Sequence, residues 1–411
     1  MRATTIVRSI LQIPHTRVWA VDLGPVGIVA QVSPATQVPR CSGCGCRVRS
    51  RYDTRTRSWR HLDACGMPVE LRYTLRRVDC PRCGVVVEMV PWAESKSGFT
   101  RDFEDHVAYL AQVTDQSTVA KSMRIAWRTV GAIIERVMAR RRDPSLLDEL
   151  EHIGVDELSY RRHHEYVTSV VDHVRQRVVW CHRGKSAETL GKFFDDLGPE
   201  RTAKIQTVTI DMSAAYVDAV TTRALQARIV FDRFHVQRLA QEALDQLRRA
   251  EVRRLDDVGE RGALKKTRWA LLKNPWNLTS VEQERLAFLQ KTNRRLYRGY
   301  LLKQALVDIL GRRQVDVVRC KLLEWISWAS RSRLAPFKRV AKTIKKYFEG
   351  VLAIVAIGLN NGRTEGLNGK IRVITRRAYG FHSASALISF IFLCCSGLTL
   401  HPVFKTPHLH P

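Results

Sequence analysis

Three acids and four cysteines are the side chains whose types and spacing point to chemistry. Asp156 follows the short apolar run Ile153-Gly-Val, Asp211 follows Val208-Thr-Ile, and Glu365 lies in Asn361-Gly-Arg-Thr-Glu365-Gly-Leu-Asn368. Carboxylates held together repel one another unless a hard divalent cation sits between them, and an all-oxygen ligand set selects Mg²⁺ or Mn²⁺. Two such ions about 3.5 to 4 Å apart would activate a water or a 3′-hydroxyl and stabilise the leaving oxygen of a phosphoryl transfer. That is nucleic-acid strand-cleavage chemistry. The cysteines form two C-x-x-C knuckles, Cys41-Ser-Gly-Cys44 and Cys80-Pro-Arg-Cys83, each followed by a glycine, Gly45 and Gly84, that a tight turn around a metal requires. Four thiolates so spaced predict a tetrahedral, structural zinc site. Cys46, Cys65 and His61 are near enough in sequence to replace one ligand and are expected to be bystanders.

The acids need elements that bring them to one place. Ile153 to Glu157, Tyr166 to Asp172 and Arg177 to Cys181 read as three successive strands, followed by a helix from Ala187 to Leu197. Val208 to Ser213 and Arg228 to Asp232 hold two more strands with a helix between them. Three strands, helix, strand, helix, strand is the order of a ribonuclease-H-like fold, whose first and fourth strands lie side by side and would set Asp156 facing Asp211. A single strand-end Asp is usually an ordinary cap; the joint placement is what singles out this pair. Wound as a helix, the stretch from Asn360 to Phe381 puts Glu365, Asn368, Arg372 and Arg376 on one face and Leu367, Ile371 and Ile374 on the other. One face suits the core, and the other offers a metal ligand followed by groups able to grip phosphates. Gly366 and Gly369 each give up roughly 1 kcal/mol of helix propensity beside that acid, so a close-fitting neighbour is expected there. The other late acids read as surface partners, Glu324 of Lys321 and Glu349 of Lys345 and Lys346.

Composition names the partner. The 68 Lys and Arg against 40 Asp and Glu leave a net charge of +28, the balance of a protein that holds a polyanion. Residues 241–350 are helical in pattern and carry 26 Lys and Arg against 12 Asp and Glu, half of that excess. They read as an all-helical insertion between Asp211 and Glu365, with Trp269, Trp276, Tyr297, Tyr300, Trp325 and Trp328 mostly in its core. Arginines crowd the interval between the knuckles. Residues 96–145 have a helix-turn-helix pattern: one face of Phe103, Val107, Leu110 and Thr114, a short helix capped by Ser117, then a second helix from Trp127 with Val130, Ile134 and Val137 inward. Trp127, Arg128 and Arg136 would face out, as on a recognition helix in a major groove. No apolar run reaches a membrane span, and Ala384 to Leu400, the longest, reads as a buried helix. With no secretory signal visible, ten cysteines mean metal or free thiols, and the expected location is the cytoplasm, on the nucleoid.

The ordered set of C-x-x-C pairs, Ile-Gly-Val-Asp156-Glu, Asp211-Met-Ser, Asp232-Arg-Phe-His235-Val, Asn361-x-x-x-Glu365-x-x-Asn368 and Arg376-x-x-Tyr379-Gly-Phe381 resembles the ISL-three family of bacterial insertion-sequence transposases over nearly the whole chain. The resemblance implies a DDE triad at Asp156, Asp211 and Glu365 with two Mg²⁺ or Mn²⁺ ions, and an accessory Asp232 and His235 near the scissile phosphate. The bland alternative for that pair is a helix-capping Asp232 and a His235 packed on the sheet. The resemblance also implies cut-and-paste movement of an element with inverted terminal repeats, by a homodimer or higher homo-oligomer on transposon-end and target DNA. The expected architecture is multidomain α+β: a zinc module (1–95), a helix-turn-helix (96–145), a ribonuclease-H-like core in two parts (150–240 and 351–411) and the helical insertion between them (241–350). Two rivals are a non-catalytic DNA-binding regulator and a nuclease that cuts without joining. Metal-dependent nicking separates the first from the others, and joining of a 3′-hydroxyl end separates the second.

Overall fold

The computed structural model describes residues 3–24, 27–161, 165–257, 264–358, 361–377, 381 and 383–402, and they divide into two compact units, Met1–Asp143 with Ile374–Pro411, and Pro144–Val373. Expectations resting on Asn360 and Tyr379 lie outside the described residues.

The first unit opens with helix α1 (Ala3–Leu11) and strands β1 (Thr16–Gly24), β2 (Gly27–Pro34), β3 (Asp53–Ala64), β4 (Met67–Cys80) and β5 (Gly84–Val87). They form one sheet in the order β1-β2-β4-β3, with β5 also paired to β4. Val69 and Leu71 on β4 alternate with partly exposed neighbours, as a half-buried strand must, and meet Trp59 of β3 and Trp92 in the core. Helices α2 (Arg101–Val113), α3 (Gln116–Met123) and α4 (Trp127–Arg141) follow. Thr100 caps α2, and Asp115, not Ser117, caps α3: its Oδ1 accepts from the amides of Ser117 and Thr118. The cap sits two residues earlier because a carboxylate there satisfies two free helix amides at once.

The second unit holds β6 (His152–Arg161), β7 (Glu165–Asp172), β8 (Arg177–Arg183), α5 (Ala187–Leu197), the short α6 (Pro199–Thr202), β9 (Thr207–Ile210), α7 (Ala214–Arg223) and β10 (Arg228–Phe231). The sheet order is β10-β9-β6-β7-β8, antiparallel through β6-β7-β8 and parallel through β6-β9-β10. Helices α8 (Arg233–Asp257), α9 (Arg268–Leu272), α10 (Ser280–Thr292), α11 (Arg294–Leu310), α12 (Val315–Arg331), α13 (Ala335–Lys346) and α14 (Phe348–Ile357) come next. α8 starts directly off β10 and runs without a break past residue 241. It lies against α11 at Gly299, where a Cβ would come within 2.7 Å of Leu247, and α14 presses on β10 at Gly350, where a Cβ would meet the Phe231 ring at 2.4 Å. Tyr300 and Trp325 are buried, but Trp269 and Trp276 are exposed.

Helix α15 (Asn361–Arg377) crosses the boundary between the units, and α16 (Ala384–Cys395) packs in the first, on α2 and α4. There the Gln112 amide donates to Leu393 O at 2.6 Å and Leu398 O at 2.9 Å. No helix among the described residues is long and apolar enough to cross a membrane.

Candidate active site, zinc centre and DNA-binding helices

Each cysteine knuckle is shaped by its glycine. Gly45 and Gly84 take φ of +71° and +70°, where a side chain is disfavoured, and the second knuckle is itself the turn between β4 and β5. In the first, the Gly45 amide donates to Cys41 O at 2.9 Å and the Gly43 amide to Cys41 Sγ at 3.3 Å. The sulfurs of Cys41, Cys44, Cys80 and Cys83 all lie within 4.8 Å of one another, Cys44 and Cys80 at 3.6 Å. A zinc with bonds of about 2.3 Å needs tetrahedral S–S edges of about 3.8 Å. The donor set and spacing fit that ion. Hydrogen bonds with Cys44 and Cys41 push the Cys83 thiol up to about 12, and a cation among the four sulfurs would favour its thiolate. Cys46, Cys65 and His61 are outside the group. His61 is buried, and its Nδ1 lies 2.8 Å from the Oγ1 of Thr100, the cap of α2. Burial lowers its pKa to about 4, which keeps the ring neutral.

Arg124, at φ 54°, makes the left-handed turn that ends α3, and α4 then buries Val130, Ile133, Ile134, Val137 and Met138. Arg128 and Ala132 are exposed, while Trp127 is half-buried. Arg136, expected to face out, instead donates from Nε to Oε1 of Glu104 at 2.7 Å. That carboxylate is fully buried on α2, also accepts from Ser97 Oγ at 2.7 Å, and lies 3.5 Å from Arg140. Burying a carboxylate requires partners, and Arg136 is one of them. Nothing in the local pattern distinguishes Glu104 from its neighbours Asp102 and Asp105, so the sequence reading missed it.

In the second sheet, Ile153 pairs with Val208 and Gly154 with Thr209. Two steps further, beyond the end of the ladder, Asp156 is level with Asp211. The next ladder pairs Phe231 with Ile210, and the Asp232 amide donates to Ile210 O at 3.0 Å, which brings Asp232 level with Asp211 as well. Three acids therefore form a row across adjacent parallel strands spaced about 4.8 Å apart. Burial raises the Asp156 pKa, against the opposing pull of the Glu157 amide and of the charges of His235 and Arg372. Asp211 Oδ1 accepts from the Ser213 amide at 3.0 Å. Asp232 Oδ1 accepts from the Phe234 amide at 2.9 Å and so caps α8, and its Oδ2 lies 3.1 Å from His235 Nδ1. The close contact with Asp232, reinforced by the charges of Asp232, Asp156 and Asp211, raises the His235 pKa against the opposing effect of burial. Glu157, to which the sequence reading gave no role, is half-buried; its pKa is raised by burial, Tyr216 is its hydrogen-bond partner, and Asp211 and Lys185 act on its charge.

On α15, Leu367, Ile371 and Ile374 are buried and Arg372 and Arg376 exposed, so the expected apolar stripe forms. The side chains of Glu365 and Asn368 lie outside the described residues. The other late acids are paired, Glu324 with Lys321 at 2.8 Å and Glu349 with Arg319 at 3.2 Å rather than with Lys345 or Lys346.

Known families match all three parts. A family model described as transposase matches residues 153–391, the helix-turn-helix domain of transposase family ISL3 matches 88–138, and the zinc-finger of transposase IS204/IS1001/IS1096/IS1165 matches 37–83. The chain is 40% identical to the transposase for insertion sequence element IS1557 of Mycobacterium tuberculosis, over 93% of this chain and 91% of that protein. It is 31% identical to the transposase for insertion sequence element IS1001 of Bordetella parapertussis, over 88% of this chain and 90% of that protein. With a zinc ribbon, a helix-turn-helix and a DDE-type transposase domain in this order, the chain belongs to the ISL3 family of DNA transposases.

Proposed function

We propose that this transposase recognises the inverted terminal repeats of an insertion sequence through its zinc ribbon (1–95) and helix-turn-helix (96–145), and moves the element by cut-and-paste. The catalytic part is a ribonuclease-H-like core, residues 150–240 and 351–411, split by the helical insertion 241–350. The level placement of Asp156 and Asp211 on adjacent parallel strands carries this reading, because two carboxylates set on neighbouring strands suit a shared divalent cation. Two Mg²⁺ or Mn²⁺ ions held by Asp156, Asp211 and Glu365 would supply an activated oxygen nucleophile and stabilise the leaving oxygen. Asn368, Arg372 and Arg376 grip the flanking phosphates, and Asp232 steadies His235 beside the scissile one. Trp127 and Arg128 meet the major groove, while Arg136 holds α4 at its angle through Glu104. The protein works as a homodimer or higher homo-oligomer on DNA.

The test is cleavage and strand transfer on DNA carrying the element's ends, with Mg²⁺, by Asp156→Asn, Asp211→Asn and Glu365→Gln proteins. Each should lose both steps and keep end binding, whereas Glu324→Gln and Glu349→Gln should stay active. Robust Mg²⁺-dependent cleavage by Glu365→Gln would remove that residue from the triad.

A further inference from the structure

The first unit contains a cavity of about 330 Å³ between β3, β5 and residues 89–101, whose lining includes Ser42 of the first knuckle but none of the four zinc cysteines and no residue of α4. Trp59, Leu75, Val90 and Ala93, all buried, make an apolar floor. The rim is polar: Ser42, Arg57, Ser95, Lys96 and Arg101. The two carboxylates of the lining are already neutralised, Glu88 by Arg76 at 2.7 Å and Glu94 by Arg101 at 2.9 Å. Arg57 lies 5.4 Å over the Trp59 ring and donates to Ser97 O at 2.7 Å, which fixes its guanidinium without cancelling its charge. Lys96 is exposed and forms no ion pair among the described residues; its backbone sits at φ 66°, a conformation glycine would adopt at less cost. A lysine at the mouth of an apolar cavity with surplus positive charge suits a ligand with one flat apolar part and one anionic part.

We infer that this cavity binds a single nucleoside monophosphate, with the base on the apolar floor and the phosphate between Lys96 and Arg57. The volume lies at the lower end of ordinary ligand pockets, enough for one nucleotide and too small for a duplex. The nucleotide comes either free or as an unpaired residue of DNA held by the arginine-rich interval between the knuckles. The site is independent of the carboxylate assignment, so the catalytic reading and this one fail separately.

The experiment is calorimetric titration of the zinc-loaded full chain with a deoxynucleoside monophosphate, and in parallel with inorganic phosphate and with the unphosphorylated deoxynucleoside. The monophosphate should bind at least tenfold tighter than either fragment, and Lys96→Ala should weaken it at least fivefold with zinc content and melting temperature unchanged. Ala93→Leu, which fills the floor, should weaken the nucleoside part but not inorganic phosphate. A duplex with one unpaired 3′ nucleotide is then added as competitor against a blunt duplex. Selective displacement by the overhang assigns the site to DNA, and no selective displacement assigns it to free nucleotide. No saturable monophosphate binding at millimolar concentration, or binding that Lys96→Ala leaves unchanged, overturns the inference.

Discussion

Acid should loosen the first unit through His61. In the fold its ring is buried, bonded to the Thr100 cap, and titrates at about 4, against an unfolded value of about 6.5. Because the folded value is the lower one, the unfolded chain takes up the proton first. The stabilisation is complete above about pH 6.5 and is lost as the pH falls through about 4. The two values imply a loss of about 2 kcal/mol at pH 5 and about 3 kcal/mol at pH 4 and below. For a unit of this size that is roughly 4 to 8 °C of melting temperature at pH 5. Zinc release also rises with acid, so the assay compares the wild type with His61→Asn, whose amide keeps a polar partner for Thr100 but does not titrate in this range. The wild type should lose about 2 kcal/mol more than His61→Asn between pH 7.5 and pH 5. Parallel pH curves for the two proteins, or a His61 pKa near 6.5 by NMR, would refute the burial argument.

Cys44→Ser should abolish retention of the single zinc expected per chain and lower the stability of the first unit and its DNA affinity, read by metal analysis and by DNA titration. Glu104→Ala should cost about 3 kcal/mol by stranding Arg136, while Glu104→Gln should cost less; both should weaken DNA binding through misalignment of α4, measured by melting and by affinity. With a net charge of +28, non-specific DNA affinity should fall steeply with salt, at a log–log slope of about −0.9 per phosphate contacted, and a slope near zero would refute the electrostatic account.

Much of this protein is legible in one dimension because its signals are local or periodic. The knuckle glycines announce their left-handed turns, the β-branched run of Tyr166 to Asp172 announces β7, and the apolar spacing of Leu367, Ile371 and Ile374 announces the buried face of α15. Backbone conformation and face selection depend on residues a few positions apart, so these elements, the zinc ligand set, the polyanion partner and the order of motifs that marks the family can all be read along the chain. Relations between distant residues cannot, because they are set by how the elements pack. The level row of Asp156, Asp211 and Asp232 depends on the register of three strands. Which of the charged residues on α2 and α4 enters the core, Glu104 drawing Arg136 inward, depends on how the helices cross. That α16 covers α2 and α4 follows from packing of apolar faces, and an apolar run carries no address for its partner. The hydrophobic effect is non-directional: a sequence can declare that a face must be buried, and only the assembled fold decides against what.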